Sequence, residues 1–436
     1  MRRTLLSSCL FLFLVCTAAA QNYCIAGRFS QNELFPDAQI RADTGIVYSN
    51  AFNPFSGQQE ALKLDIYYPD MALDTMTQRP FVLLIHGGSF IFGSRTADTY
   101  FCQEYAKRGY VSATIDYRLG WGCAFGNDPC NNCIADSSLL RQTTYMAAQD
   151  CISALHFIAG NANGWHINPQ QLYINGTSAG AVAAYMALTW TQQSANAFAP
   201  GAETLLGPLD NSGGNAFANS YTVRGFCDLC GAVAGDSLTL DALNVPVISF
   251  HDEFDCLVPY AQGTIFCGCA NFYWCSGPRQ VYNNHIARGI CAELNTVPGS
   301  NDHCSYPNPY IVMRSCCFFK RMMCGECPAD TNSNILAPAS CDTLAGNFQV
   351  GTDAIAVAVI SSPTDRSLLL RFSDYATSGG NIRCLDMLGR PVHEYNFEAY
   401  AHETVLDTSF LPSGTYFLVF DSPGELETVK VVVLHP

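Results

Sequence analysis

Charged side chains are scarce in this chain. Asp, Glu, Lys and Arg make up only 14% of the 436 residues, and 22 basic against 37 acidic residues give a formal net charge of −15. Such a low charge content, together with 49% hydrophobic residues, excludes a disordered or coiled-coil protein. No cluster of Lys and Arg occurs, although nucleic acids and anionic membranes require one. We therefore expect a folded protein with a large core and two domains.

Long hydrophobic runs are also lacking beyond the N-terminus, so the sequence predicts no transmembrane helix. At the N-terminus, Arg2 and Arg3 precede an apolar stretch at residues 5–16, which is too short to span a bilayer comfortably. Small residues then lead up to Ala20, as at a signal-peptidase site. The sequence therefore predicts a secretory signal peptide at residues 1–20 and an exported protein.

Cysteine, in contrast, is abundant. The chain has 22 cysteines, and removal of Cys9 and Cys16 with the signal peptide leaves 20. A high, even number in an exported chain predicts disulfides, whose connectivity the sequence leaves open. Zinc is the competing interpretation for the Cys-x-x-Cys pairs, but no histidine pair has zinc-finger spacing. Those pairs are Cys130/Cys133, Cys227/Cys230 and Cys324/Cys327.

Short apolar runs alternate with helix-like segments over most of the chain. Residues 81–85 are a continuous apolar run, as in a strand that is buried on both faces. Similar runs follow at residues 111–115, 172–175 and 246–250, with helix-like segments at 100–108, 147–158, 181–190 and 281–294. This alternation predicts an α/β fold with a mostly parallel central sheet and helices on its faces.

Two segments of this part lack a clear period. Residues 122–140 are rich in Cys and Asn, which predicts a loop pinned by disulfides. Residues 191–222 are rich in Gly, Ala, Asn and Ser, so they are either a surface excursion or a lid.

The composition changes after about residue 325. Residues 326–349 contain many Pro, Ser, Ala and Asn residues and are expected to form a linker. Residues 350–436 consist of short β-type runs separated by Gly- and Pro-containing turns, which predicts a small all-β sandwich. The two expected domains are therefore residues 21–325 and residues 350–436.

Residues 176–180, Gly-Thr-Ser-Ala-Gly, place a serine between two glycines where a predicted strand meets a predicted helix. This is the pattern of a nucleophile elbow, a tight turn that lifts the serine hydroxyl clear of the sheet. Ser178 is therefore the candidate nucleophile. A serine hydroxyl ionises only at high pH, so it needs a histidine base, which in turn needs a carboxylate to orient it.

Asp255 and His303 are the candidate acid and base. They follow Ser178 in the order serine, acid, histidine, and each comes after a predicted element. Asp252 and Glu253 stay open as alternative acids, although Asp252 follows its strand very closely. The alternative bases are His251, at the end of that strand, and His285, in a helix-like run.

The oxyanion hole needs backbone N–H donors near the nucleophile. Gly87 and Gly88 follow the buried strand at residues 81–85 and have no side chain to shield their amides. Ala179, directly after the nucleophile, is the third candidate donor. The site requires no metal or cofactor.

Residues 45–325 resemble an α/β-hydrolase of the carboxylesterase and feruloyl-esterase-like group. Ser178 with Ala179 and Gly180 resembles the Ser-Ala-Gly elbow of esterases, and residues 251–259 resemble the acid loop with Asp252 in place of its usual glycine. Further similar motifs are Leu-Asp-Ile-Tyr-Tyr-Pro at 64–69, His-Gly-Gly at 86–88 and Asp-Tyr-Arg-Leu at 116–119. The resemblance implies the α/β-hydrolase fold and hydrolysis of carboxylic esters.

Residues 350–436 resemble the C-terminal sorting domain of the type IX secretion system of Bacteroidota. Residues 386–392, Asp-Met-Leu-Gly-Arg-Pro-Val, look like its hairpin, and residues 411–418 look like a later strand. The resemblance implies transfer to the outer membrane or beyond, with the secretion machinery as partner. A carbohydrate-binding β-sandwich is the alternative.

Cys256 and Cys304 directly follow the candidate acid and the candidate base. We hypothesise that these two cysteines form a disulfide, which would join the two loops and preorganise the triad.

The sequence thus predicts a secreted serine hydrolase that cleaves carboxylic esters through an acyl-enzyme, with a small-molecule or polysaccharide-linked ester as substrate. Two alternatives are a peptidase or amidase with the same triad and a non-catalytic, hydrolase-like binding protein. The elbow sequence argues against the first, and the complete set of triad candidates argues against the second.

Overall fold

The structure, a computed structural model, describes most of the larger predicted domain and separate strands of the smaller one. The described residues are 23–121, 136–210, 220–235, 237–333, 341, 357–359, 367–372, 380–386, 390–397, 403–412, 414–422 and 425–433. The predicted signal peptide, Cys130 and Cys133 lie outside these residues, as does most of the expected linker.

Twelve strands, nine α-helices and three short 3-10 helices occur in the described part of residues 23–333. The strands are β1 (Ile40–Asn53), β2 (Gln58–Pro69), β3 (Arg79–Ile85), β4 (Val111–Ile115), β5 (Ile167–Thr177), β6 (Val223–Leu229), β7 (Val233–Ala234), β8 (Val247–Asp252), β9 (Gln262–Thr264), β10 (Trp274–Ser276), β11 (Ala292–Val297) and β12 (Ala329–Asn332). The helices are α1 (Thr99–Lys107), α2 (Ser137–Asn161), α3 (Ala179–Thr189), α4 (Gln192–Phe198), α5 (Ala202–Leu206), α6 (Ser237–Ala242), α7 (Ile265–Gly268), α8 (Pro278–Ala287) and α9 (Asn308–Met323).

One large sheet organises this domain, with the strand order β1-β2-β4-β3-β5-β6-β8-β11-β12. Strands β1, β2 and β4 pair antiparallel, and every pair from β4 to β12 is parallel. The predicted α/β fold with a mostly parallel sheet is confirmed. Because the carboxyl ends of the parallel strands meet at one edge, the loops after β3, β5, β8 and β11 lie close together.

The central strand β3 is buried along its whole length. Phe81, Leu83 and Ile85 belong to one apolar core, to which α2 and α3 contribute. Val82 and Leu84 point into a second core, which contains residues of α1 and α9. The sheet therefore separates two cores and is covered by helices on both faces, which explains the unbroken apolar run in the sequence.

The structure differs from the predicted elements in some places and adds detail in others. The helix expected over 281–294 ends at Ala287, because Gly289 has a left-handed φ of 69°, and residues from Ala292 onward form β11 instead. Helix α2 begins at Ser137, inside the segment expected as a disulfide-pinned loop. Residues 191–222 contain two short helices, α4 and α5. Strand β12 extends the large sheet into the segment expected as a linker.

The C-terminal part is all-β in its described residues, as predicted. Its strands are β13 (Val357–Val359), β14 (Ser367–Phe372), β15 (Gly380–Leu385), β16 (Pro391–Phe397), β17 (Glu403–Asp407), β18 (Gly414–Ser422) and β19 (Glu425–Val433). They form two antiparallel sheets in the orders β13-β14-β17 and β16-β15-β18-β19. Among all described residues, no helix is both long enough and apolar enough to cross a bilayer.

Candidate active site

Ser178 lies in the turn between β5 and α3 with φ 52° and ψ −117°, a conformation that non-glycine residues rarely adopt. The two flanking glycines are sterically required. A Cβ at Gly176 would lie 2.7 Å from Ala181 Cα, and one at Gly180 would lie 2.1 Å from the carbonyl oxygen of Ile85. The glycines thus allow α3 to pack directly against the ends of β3 and β5, and this packing fixes Ser178 at the sheet edge.

Ser178, His303 and Asp255 form one hydrogen-bonded chain. His303 Nε2 lies 2.8 Å from Ser178 Oγ, and His303 Nδ1 lies 2.7 Å from Asp255 Oδ2. An ionised carboxylate can only accept, so Nδ1 carries the proton and Nε2 is free to accept the serine hydroxyl. This is the arrangement that makes a serine hydroxyl nucleophilic.

Asp255 is held in place by more than His303. Its Oδ1 accepts from the amides of Leu257, at 2.9 Å, and Val258, at 3.3 Å, and its Oδ2 lies 3.1 Å from His251 Nε2. Burial would raise the pKa of Asp255, but the hydrogen bonds from His251 and His303 outweigh it and hold the pKa at about 2. The carboxylate is therefore charged at every pH at which the triad would work.

The rival acids have other partners. Asp252 accepts hydrogen bonds from the amide and hydroxyl of Ser305, and Glu253 accepts one from the amide of Gly299 at 2.9 Å. Both carboxylates therefore hold the loop that carries His303, and neither has His303 as a partner.

The rival bases have hydrogen-bond partners other than Ser178. His251 is fully buried, and its Nε2 lies 2.9 Å from the carbonyl oxygen of Val258 as well as close to Asp255. His285 lies in α8 with its Nε2 2.9 Å from the carbonyl oxygen of Val245. The sequence had not indicated that a second histidine contacts the acid.

The oxyanion donors predicted from sequence lie around Ser178. Gly87, Gly88 and Ala179 line the same cavity as Ser178 and His303. Gly88 has φ 117°, and a Cβ there would lie 2.0 Å from the carbonyl oxygen of Phe92, so only glycine allows this tight loop. Ala179 begins α3, whose first amides have no partner within the helix and are available to a developing negative charge.

The hypothesised Cys256–Cys304 disulfide is wrong. Cys304 pairs with Cys230, the residue directly after β6, and Cys256 pairs with Cys267. The loop of His303 is therefore tied to the strand beside the elbow, whereas Glu253 and the amide of Phe254 join the acid loop to it by hydrogen bonds. Cys230, His303 and Cys304 are close enough to bind a metal ion, but sulfurs in a disulfide are not thiolate ligands.

Removal of the Cys230–Cys304 disulfide is expected to weaken both fold and site. The free energy of unfolding of the double variant Cys230→Ala/Cys304→Ala should be about 2–4 kcal/mol lower than that of the wild type. Its kcat should fall about tenfold or more, with little change in KM, because His303 loses its fixed position. Chemical denaturation and ester kinetics measure the two effects.

Cys24–Cys324 provides the matched control for that experiment. This disulfide joins the N-terminal segment to the end of α9, and neither cysteine lines the cavity. The variant Cys24→Ala/Cys324→Ala should therefore lose stability and keep its kcat. An equal loss of kcat in both double variants would contradict a positioning role for Cys230–Cys304.

A cavity of about 350 Å³ opens beside Ser178 and is predominantly apolar. Its lining residues are Gly87, Gly88, Ser89, Phe90, Phe92, Thr177, Ser178, Ala179, Val182, Leu257, Val258, Ile265, Phe266, Tyr273, His303 and Cys304. Five of them come from residues 257–273, which the sequence had not assigned to the site. No described residue of 191–222, the segment considered as a lid, lines this cavity.

Two family models match parts of the chain. Residues 40–200 match the model of the carboxylesterase family, and residues 361–434 match that of the secretion system C-terminal sorting domain.

Curated relatives share part of the chain. Gut esterase 1 of Caenorhabditis elegans is 30% identical over 153 residues, which are 34% of this chain and 25% of that protein. The cAMP-regulated D2 protein of Dictyostelium discoideum is 27% identical over 208 residues, or 46% of this chain and 36% of that protein. The chain thus spans 25% of the length of the first of these relatives and 36% of the second.

Solved structures are similar as well. A paraoxon-phosphorylated esterase 2 of Thermogutta terrifontis is 17% identical with a TM-score of 0.45, covering 66% of this chain and 96% of that one. The α/β hydrolase MGS-M1 from a deep-sea metagenome library is 16% identical with a TM-score of 0.41, covering 65% of this chain and 98% of that one. This protein is thus similar to the carboxylesterase family over residues 40–200 and to secretion system C-terminal sorting domains over residues 361–434.

Proposed function

We propose that this protein is a secreted serine hydrolase that cleaves carboxylic esters through an acyl-enzyme. The observation that carries the proposal is the hydrogen-bonded chain Ser178–His303–Asp255 at an apolar cavity. The carboxylesterase-family match over residues 40–200, which includes the elbow, supports an ester as substrate.

Each residue of the triad has a defined part in this reaction. Ser178 Oγ attacks the ester carbonyl and passes its proton to His303 Nε2, while Asp255 stabilises the imidazolium that forms. The amides of Gly87, Gly88 and Ala179 stabilise the oxyanion of the tetrahedral intermediate. His303 then gives the proton to the departing alkoxide, which leaves as an alcohol. Water, activated by the same histidine, hydrolyses the acyl-enzyme and restores Ser178.

Two segments of the sequence support export. Residues 1–20 have the pattern of a signal peptide, and residues 361–434 match the secretion system sorting domain. We therefore propose passage through the periplasm and then through the type IX machinery, to the cell surface or the medium. In this proposal residues 21–325 are the catalytic domain, with β12 as an additional edge strand, and residues 350–436 are the sorting domain.

Covalent trapping tests the proposal directly. The purified protein should release p-nitrophenol from p-nitrophenyl butyrate, and a fluorophosphonate should stop turnover and add one phosphonyl group. Peptide mass spectrometry should find that group on Ser178, and heat-denatured protein should remain unlabelled. Labelling of another serine would contradict the site. An intact protein with neither turnover nor labelling would favour the non-catalytic binding protein.

A further inference from the structure

The residues that follow the acid, 256–277, form an excursion before α8 that contributes five of the residues lining the cavity. We propose that Phe266 in this excursion closes the acyl end of the cavity and restricts substrates to esters of short, uncharged acyl groups. This inference rests on the proposed function, because it describes the substrate class of the same site.

The orientation of the acyl group follows from the exposure of the triad histidine. His303 protonates the departing alcohol, and its side chain is 22% exposed, so the alcohol side of the substrate leads toward solvent. The acyl group stays attached to Ser178 in the acyl-enzyme and points away from His303. The buried side chains of Val182, Ile265 and Tyr273, which also line the cavity, offer such a group an apolar surface.

Phe266 is fixed by covalent, backbone and aromatic contacts. Cys267, the next residue, is joined to Cys256, and the amide of Phe266 donates to the carbonyl oxygen of Leu257 at 2.8 Å. Its ring stacks on Trp121 with 5.9 Å between centroids and lies 5.5 Å from the ring of Phe272. An aromatic side chain held by these contacts cannot easily rotate to make room for a longer acyl chain.

Trp121 links this wall to the oxyanion loop. It is almost fully buried, and its indole Nε1 donates to the carbonyl oxygen of Ser89 at 2.9 Å. The loop that would bind the oxyanion and the wall that would limit the acyl group are therefore held by one side chain.

The size and chemistry of the cavity define the acyl group. Its volume of about 350 Å³ is near the lower end of the range of roughly 300–1,000 Å³ found for ligand pockets. Among the described residues, the lining contains no Lys, Arg, Asp or Glu, so an acyl group with its own carboxylate would be desolvated without a cationic partner from them. A short aliphatic acyl group meets both conditions.

A panel of p-nitrophenyl esters tests this assignment on the full chain. We expect the wild type to hydrolyse the butyrate with a kcat/KM at least about tenfold above that for the laurate, and to disfavour a hemisuccinate ester. Phe266→Ala should raise the ratio of kcat/KM for the laurate to kcat/KM for the butyrate by about tenfold or more, because the end wall is removed. Phe266→Leu should change it in the same direction by a smaller factor.

Trp274 offers a matched control in the same excursion. It is an aromatic residue next to Tyr273, its side chain is 52% exposed, and it does not line the cavity. Trp274→Ala should therefore leave the laurate to butyrate ratio unchanged. Butyrate turnover in each variant, with its melting temperature, shows that fold and triad are intact.

Two results would overturn the inference while ester hydrolysis stands. One is a wild type that hydrolyses laurate as efficiently as butyrate, and the other is an unchanged ratio in both Phe266 variants. Failure of every protein to hydrolyse any ester would instead refute the proposed function itself.

Discussion

Replacement of Ser178 by alanine is expected to lower kcat for p-nitrophenyl butyrate about a millionfold, the scale on which serine hydrolases depend on their nucleophile. The hydroxyl is the only part of the side chain that is removed, and it lies 2.8 Å from His303 Nε2. The backbone strain at Ser178 is a property of any residue with a Cβ, so alanine should fold as serine does. KM should change little, because the cavity and the candidate oxyanion donors remain.

Ser94→Ala is a suitable control for this measurement. Ser94 Oγ lies 2.8 Å from the hydroxyl of Thr96 near the surface, and Ser94 does not line the cavity. The kcat of Ser94→Ala should equal that of the wild type. Ser94→Ala and Ser178→Ala should both have the wild-type melting temperature. Residual activity of Ser178→Ala above about one hundredth of the wild-type kcat would contradict a nucleophilic role.

The sequence predicted the sheet and the elbow because both depend on local constraints. Strand β3 is apolar throughout since it is buried on both faces, and Gly176 and Gly180 are required where a helix packs against strand ends. These signals lie within a few residues of each other. Chain order and position after predicted elements favoured Asp255 and His303 but left other acids and histidines open, and the structure places these two within hydrogen-bonding distance of each other, with His303 also next to Ser178.

Strand β6 was missed because its burial depends on distant partners. Its sequence, Val-Arg-Gly-Phe-Cys-Asp-Leu, is interrupted by polar residues and a glycine. Asp228 is nevertheless buried, because it accepts hydrogen bonds from the hydroxyl of Tyr185 at 2.9 Å and from the amide of Gly231 at 2.8 Å. No periodicity in the strand itself indicates these partners.

The disulfides and the cavity wall also depend on tertiary structure. Cys304 could pair with any of many cysteines, and only the position of β6 beside the elbow brings Cys230 to it. The excursion at residues 256–277 did carry a signal, since its cysteines and aromatic residues are dense directly after the acid. That density suggests a loop held by disulfides. The position of Phe266 at the cavity, in contrast, can be seen only in the tertiary structure.

Replacement of Asp255 by asparagine is expected to lower kcat about ten-thousandfold at neutral pH. An amide can donate to His303 Nδ1, which favours the tautomer with its proton on Nε2, and that tautomer cannot accept the serine proton. The imidazolium formed during attack also loses the carboxylate that stabilises it. Asp255 is the residue to test because His303 and His251 both contact its Oδ2.

The lowered pKa of Asp255 should contribute to the pH dependence of stability. This pKa is lowered from 3.8 to about 2, so the folded state gains stability from the carboxylate above pH 3.8 and loses it as the pH falls through about 2. Asp255→Asn should lack this contribution, and its acid-unfolding curve should therefore differ from that of the wild type mainly above pH 3.8. Unfolding by urea at several pH values measures the difference.

Asp252→Asn and Glu253→Gln separate the acid from its sequence neighbours. Both side chains hold the loop of His303, through Ser305 and Gly299, and neither contacts the histidine ring. Their kcat should fall less than about a hundredfold, whereas Asp255→Asn loses far more. The triad needs only the carboxylate that orients His303 for proton transfer. A larger loss of kcat in Asp252→Asn than in Asp255→Asn would therefore identify Asp252 as the acid.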